Sequence, residues 1–249
     1  AVAASFNAPI AGALFANEVI VGHYALRAFA PIVIASVTGT AVSRAYFGDF
    51  PAFELAPSQI ESFMEIPAFA GLGIAAGLTA VLFMYGVRLV GAGFEKTAFP
   101  VWSRPALGGF ALGALAIVFP QVLGVGYGAT ESALESVFPL WLLLALVLAK
   151  IAATSISLGC GFGGGVFSPS LVIGAMLGSA YGIVAGQIFP EAASGATAYA
   201  VIGMGAVAAA VLGAPISTTI IIFELTGDYA LTVATMVAVV VASVVTQQL

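Results

Sequence analysis

Charged residues punctuate this chain sparsely, and the stretches between them are almost wholly apolar. Residues 66–87, 105–130, 136–149, 151–190, 192–223 and 229–249 carry no charge, and a further apolar stretch runs from 28 to 43. A helix crossing about 30 Å of hydrocarbon needs about 20 mostly apolar residues, so these intervals predict membrane spans. Two of them do not fit a single crossing. Residues 151–190 are interrupted by Gly159-Cys160-Gly161-Phe162-Gly163-Gly164-Gly165 and then Pro169, and residues 192–223 by Gly213-Ala214-Pro215. Backbone that leaves the helix at membrane depth must be enclosed by protein or border a wet cavity. Such breaks serve either as re-entrant packing elements or as substrate sites, and the second reading is favoured.

The polar residues cluster between the intervals. Asp49, Glu54, Glu61 and Glu65 crowd one linker, Glu131 and Glu135 another, and Arg88, Lys96 and Arg104 a third. The bias of Lys and Arg toward the cytoplasmic side places the 88–104 linker inside and the 49–65 linker outside.

Composition agrees. Of 249 residues, 61% are hydrophobic and 7% charged, with a mean hydropathy of +1.16, where a soluble domain carries about a quarter charged. Disorder is excluded by the apolar content. Six Lys and Arg against eleven Asp and Glu, a net charge of −5, leave no basic face for nucleic acid. One cysteine, Cys160, and one histidine, His23, provide neither a disulfide framework nor a metal cluster. The chain opens without Met or a basic leader and stops at Leu249 without a polar tail, so it reads as a segment of a longer protein.

The chain also matches itself at an offset of 206. Ala3-Ala4-Ser5-Phe6-Asn7-Ala8-Pro9-Ile10 aligns with Ala209-Ala210-Val211-Leu212-Gly213-Ala214-Pro215-Ile216, and nine residues beyond each proline stands a glutamate, Glu18 or Glu224. Each copy predicts a turn, a proline in the first helical turn, a short apolar helix and one acid. Duplicated broken helices mark inverted-repeat transporters. The two acids either cap neighbouring helices or reach the interface, readings favoured over a proton relay, although ionisable groups in membranes raise that possibility. Gly174, Gly178, Gly182 and Gly186 recur every four residues, a smooth stripe for close helix packing.

The chemistry centres on Gly163-Gly164-Gly165-Val166-Phe167-Ser168-Pro169-Ser170. Ser168 is expected as the N-cap and Pro169 as the first helical residue, with the glycines leaving amides sterically open. A helix N-terminus presents unpaired N–H groups and a positive dipole end, which binds an anion without a formal charge. The same segment satisfies G-x-G-x-x-G from Gly159 to Gly164, but no βαβ pattern surrounds it and the next acid is Glu191, so a dinucleotide site is rejected.

Three motifs, in order, now bring a family into view. Phe6-Asn7-Ala8-Pro9-Ile10-Ala11-Gly12 with Phe15 and Glu18, Gly164-Gly165-Val166-Phe167-Ser168-Pro169 followed by Gly174-Ala175-Met176-Leu177-Gly178, and Ala214-Pro215-Ile216 with Phe223-Glu224-Leu225-Thr226 resemble the CLC family of chloride channels and chloride/proton antiporters. The resemblance implies an all-α polytopic membrane protein, a CLC-type inverted-repeat bundle of tilted and broken helices. Residues 1–249 would be the C-terminal half to two thirds of its membrane domain. It further implies that Val166, Phe167 and Ser168 donate backbone N–H groups to chloride, with Gly163, Gly164, Gly165 and Pro169 shaping the turn. The substrate would be chloride, with no cofactor and no metal. The protein would be a homodimer in a plasma or inner membrane, each subunit with its own pore. Pro9, Ile10, Pro215, Ile216 and Glu224 would lie at the subunit contact.

The departures are also informative. The family's G-S-G-I-P turn, its G-R-E-G-P turn with a gating glutamate and its pore tyrosine do not occur in this sequence. Where the antiporters carry a second, proton-delivering glutamate, this chain has Val19 immediately after Glu18, which looks channel-like; a one-residue slip would put Glu18 there instead. Alternatives are a fluoride-specific CLC-type transporter, or an unrelated inverted-repeat transporter for an organic anion or sodium. An intramembrane enzyme using Lys150 with Ser155, Ser157 or Ser168, or a His23–Cys160 pair, is disfavoured. Lys150 is expected to snorkel to the interface and Cys160 to fill a core.

Overall fold

The structure, a computed structural model, describes residues 1–22, 26–49, 60, 65–96, 100–190 and 193–249. His23, Glu54, Glu61 and Glu191 lie outside the described residues. Every regular element among them is helical: α1 (Val2–Phe6), α2 (Pro9–Phe15) running into a π-turn (Ala16–Val21), α3 (Leu26–Phe47), α4 (Ile66–Glu95), α5 (Arg104–Val118), α6 (Tyr127–Leu134), α7 (Leu140–Gly159), α8 (Phe167–Ile188), α9 (Ala196–Leu212), α10 (Pro215–Thr226) and α11 (Tyr229–Gln248). Among the described residues six segments are long and apolar enough to cross a membrane, those built on α3, α4, α5, α7, α8 and α11.

Charge does not mark the ends of these helices as cleanly as the sequence pattern implies. α4 continues past Arg88 to Glu95, and α7 passes straight through Lys150. The 105–130 interval breaks instead. α5 stops at Val118 because Phe119 precedes Pro120 and takes an extended conformation, φ −127° and ψ 76°. Glu65, expected in an exposed acidic linker, is buried at the start of α4. Its carboxylate accepts from the Ser194 amide, the Ser194 hydroxyl and the Tyr199 hydroxyl at 3.0, 2.6 and 2.8 Å.

At the centre of the fold α8 lies against α9. Every residue from Ala198 to Ala210 is buried, as expected of a helix that is apolar on all sides. The two backbones nearly touch. A Cβ on Gly174 would run into the Gly203 carbonyl, one on Gly178 into the Tyr199 carbonyl, and one on Gly182 would come within 2.8 Å of the Ala196 Cα. Gly186 is the exception within the stripe, since nothing lies within 4 Å of its Cβ position. Threonine hydroxyls on the packed helices donate to carbonyls four residues back, as Thr218 does to Ala214 and Thr235 to Leu231, so no water is needed to satisfy them.

The internal repeat is conformational as well as sequential. Asn7 and Gly213 both adopt the left-handed region, φ 55° and 65°. Ala8 and Ala214 follow with φ near −125° (−124° and −126°), and α2 and α10 each start on the aligned proline. Glycine takes the left-handed region without strain, and asparagine is among the few other residues that tolerate it. The copies diverge only after the helix begins, where α2 loosens into the π-turn while α10 continues regularly to Thr226.

The two acids close the repeat crosswise. Glu18 accepts from the Ile216 and Ser217 amides at 3.0 and 2.7 Å, and Glu224 from the Ile10 and Ala11 amides at 3.0 and 2.7 Å. Each carboxylate caps the first turn of the other copy's helix. The charge meets the positive helix end and two otherwise unpaired donors.

Two results should follow in thermal unfolding of the detergent-solubilised protein. Gly178→Ala should destabilise it by about 1–3 kcal/mol or more through overpacking, whereas Gly186→Ala should be neutral or stabilising by up to about 1 kcal/mol. Glu18→Gln and Glu224→Gln should each lose about 1–2 kcal/mol, and by similar amounts. A large asymmetry between the two would show that the caps are not equivalent.

Candidate functional site

α7 ends at Gly159, Cys160 closes it, and Gly161 turns the chain with φ +87°. Residues 161–165 are exposed, and the chain re-enters the bundle at Val166. The helix start differs from the sequence expectation by two residues. Val166 is the N-cap, with φ −93° and ψ −10°, Phe167 is the first helical residue and Pro169 the third. Ser168 is therefore not the cap. Its hydroxyl donates to the Val125 carbonyl at 2.9 Å, tying the turn to the loop between α5 and α6.

This register leaves three consecutive amides without a protein acceptor among the described residues, those of Val166, Phe167 and Ser168. Pro169 has no N–H, and the first helical hydrogen bond is donated by Ser170 to the Val166 carbonyl at 3.0 Å. Proline at the third position thus removes the fourth orphan donor and leaves the other three. No acid stands in the first turn of α8.

Four other helix starts are treated differently, while α5, α6 and α7 resemble α8 in having no acid in the first turn. α2 and α10 receive Glu224 and Glu18, α11 receives its own Asp228 on the Leu231 amide at 3.1 Å, and the residue preceding the α9 cap, Ser194, receives Glu65. Each of these starts carries a carboxylate from the chain. That of α8 carries none, although its backbone chemistry is the same.

Aromatic rings fix the turn in place. The Phe167 ring meets Phe6 and Phe15 edge-on, with centroids 5.1 and 5.5 Å apart, an arrangement that aromatic quadrupoles favour. Phe6 ends α1 and Phe15 ends α2, so the first repeat copy is packed directly against the turn that opens α8. The sequence placed both in a motif without giving them a role. Their spacing about Pro9 was the available signal.

The remaining sequence candidates separate from this turn. Glu18 is engaged by α10, and Val19 beside it is half-buried. Pro9 and Pro215 begin their helices half-buried, while Ile10 and Ile216 are exposed. With Phe223, Met236 and Val240 also exposed, α10 and α11 border an apolar groove of about 510 Å³. Among the described residues no three of His, Cys, Asp and Glu approach one another closely enough to hold a metal. Cys160 is buried against Gly108, and the His23 partner once considered for it falls outside the described residues. Lys150 does not snorkel. It is buried, bonded to the Val122 and Gly124 carbonyls at 2.9 and 3.1 Å, and pairs with no serine among the described residues.

Comparison with known proteins places this geometry. Residues 1–247 match the family described as Voltage gated chloride channel. The chain is 37% identical over 238 residues to a putative chloride channel protein ClcB-like of Ralstonia nicotianae, covering 95% of this chain and 55% of that protein. It is 33% identical over 249 residues to the voltage-gated ClC-type chloride channel ClcB of Escherichia coli, covering 99% and 59%. The crystal structure of a slow cyanobacterial Cl⁻/H⁺ antiporter superposes with a TM-score of 0.85 at 25% identity, over 98% of this chain and 58% of that one. The chain thus spans a little over half the length of these relatives. An all-helical, multi-pass membrane bundle with this match over nearly its whole length belongs to the voltage-gated chloride channel family, the CLC proteins.

Proposed function

We propose that the protein containing this chain moves chloride across a membrane, and that the chain supplies the C-terminal part of a CLC membrane domain. The anion would rest on the Val166, Phe167 and Ser168 amides, with the open backbone of Gly163, Gly164 and Gly165 admitting it and Pro169 fixing the helix start. One observation carries this reading. α8 starts at a glycine-fronted turn with three consecutive amides that have no acceptor among the described residues and no carboxylate beside them, whereas the starts of α2, α10 and α11 and the residue before the α9 cap are given one. An N-terminus of this kind binds a small anion through partial charges alone. Conduction needs such modest affinity, because the ion must leave as readily as it enters.

A passive channel is favoured over strict proton exchange. The residue after Glu18 is the apolar Val19, and the Glu18 carboxylate is held by two α10 amides. Chloride is the substrate in this reading, which calls for no cofactor. The exposed Ile10, Ile216, Phe223 and Met236, with the groove beside α10, support a homodimer contact through α2, α10 and α11, each subunit keeping its own pathway.

The tests use the full-length protein. Phe167→Pro keeps a residue tolerated at a first helical position but deletes one donor, and should abolish chloride flux in liposomes. Phe167→Leu keeps the amide and most of the apolar packing and should retain flux; unchanged flux in Phe167→Pro would refute the assigned site. Flux with and without a pH gradient reads the coupling, and strict stoichiometric proton counter-movement would overturn the channel reading. Light scattering of the detergent-solubilised protein should give twice the protomer mass; a monomer mass would remove the dimer.

A further inference from the structure

Lys150 is the one charged side chain buried in the middle of a spanning helix among the described residues, and neither the anion turn nor the caps use it. It is 4% exposed. An ammonium has three N–H donors, and the Val122 and Gly124 carbonyls take two of them, at 2.9 and 3.1 Å. No carboxylate pairs with it among the described residues. A buried charge without a counter-charge is costly, and two neutral carbonyls offset that cost only in part.

The position of this lysine gives the third donor a use. Lys150 lines a cavity of about 180 Å³, with Thr154 and Ser157 further along the same face of α7 and the backbone of residues 163–165 across from them. No acid lines it. The Ser157 hydroxyl already donates to the Ala153 carbonyl, whereas the Thr154 hydroxyl has no hydrogen bond among the described residues. At about 30 Å³ per water in the liquid, the space suits a small inorganic anion with part of its hydration shell.

The loop above the cavity is arranged to match. Its Val122 and Gly124 carbonyls are bound by Lys150 and its Val125 carbonyl by Ser168. Three acceptors that would repel an anion are therefore turned onto donors. Gly126 completes the loop with φ +93°, and a Cβ there would strike the Val172 side chain and lie 3.5 Å from the ammonium. Lys150 is thus held close to the second turn of α8.

We propose that this cavity is a second anion stop, in front of the amides of α8, with Lys150 as its fixed charge and Thr154 as a hydroxyl donor. The inference rests on the reading of α8 as an anion site. A positive charge beside the entrance raises the local anion concentration, while the neutral amides beyond it keep binding weak enough for passage.

Crystals of the full-length protein soaked in bromide provide the direct test. Two anomalous peaks are expected, one at the α8 amides and one within hydrogen-bonding reach of the Lys150 ammonium. Lys150→Met should remove the second and keep the first, and lower chloride flux at low chloride roughly tenfold, as expected for a unit charge acting over several ångströms at an intermediate dielectric. Lys150→Arg should keep both the peak and the flux, which a purely loop-holding lysine would not require. A wild-type map with bromide only at α8, or a cavity peak that survives in Lys150→Met, overturns the second stop and leaves the α8 site standing. Bromide absent from α8 overturns both. Should Lys150→Met not fold, Thr154→Val, which keeps the lysine, should weaken the cavity peak; an unchanged peak counts against the proposal.

Discussion

Helix starts inside a membrane bundle carry N–H groups that no water reaches, and the means of satisfying them organises this structure. Burying such donors unpaired costs about 1–3 kcal/mol apiece, so a fold with several short, re-entrant helices must provide acceptors. At four of the starts here the acceptors are carboxylates. Glu18, Glu224, Glu65 and Asp228 each sit at a different helix start, which absorbs four of the eleven acids in a chain with few charges to place. The negative balance of the sequence thus has a structural cause. The start of α8 receives no such carboxylate, and in the proposed function an anion would meet there the same backbone chemistry that the carboxylates meet elsewhere.

The crosswise caps also explain why the repeat persists. If each glutamate capped its own helix, the two copies could drift apart in sequence independently. Instead Glu18 belongs to one copy and its donors, Ile216 and Ser217, to the other, with Glu224 and Ile10–Ala11 in the reverse relation. Turn, proline and acid must then keep a common spacing in both. The segment between proline and acid is freer, and the π-turn at Ala16–Val21 has no counterpart in α10.

Much of this was legible in the sequence because it depends on spacing. The 206-residue offset, the paired Ala-Pro-Ile triplets and the glycine stripe all report backbone conformation or close approach, which side-chain identity encodes directly. Failures occurred where a polar group has more than one possible partner. Ser168 reads as an N-cap by residue type, but a carbonyl 43 positions away takes its hydroxyl and the helix starts earlier. Glu65 reads as part of an acidic linker because its partners, Ser194 and Tyr199, lie over a hundred residues on. Lys150 reads as an end-of-span lysine because nothing local shows the Val122 and Gly124 carbonyls waiting for it. The glycines and proline mark the turn before α8, but its open amides follow from the register: with Val166 as the cap, Pro169 falls at the one first-turn position where a missing N–H leaves three neighbours open.

Phe6 and Phe15 connect these features mechanically. Both rings close on Phe167, the middle residue of the donor set. Phe15 also ends the helix whose first turn is held by Glu224, and it is followed immediately by the turn that delivers Glu18 to α10. Movement of α2 against α10 would therefore shift the rings that hold the α8 amides in place. Interiors packed at this density shift between discrete arrangements rather than deforming smoothly. The donor geometry of α8 is thus set not by its own turn alone but by a chain of contacts running through the repeat, from a carboxylate at one helix start to the open amides at another.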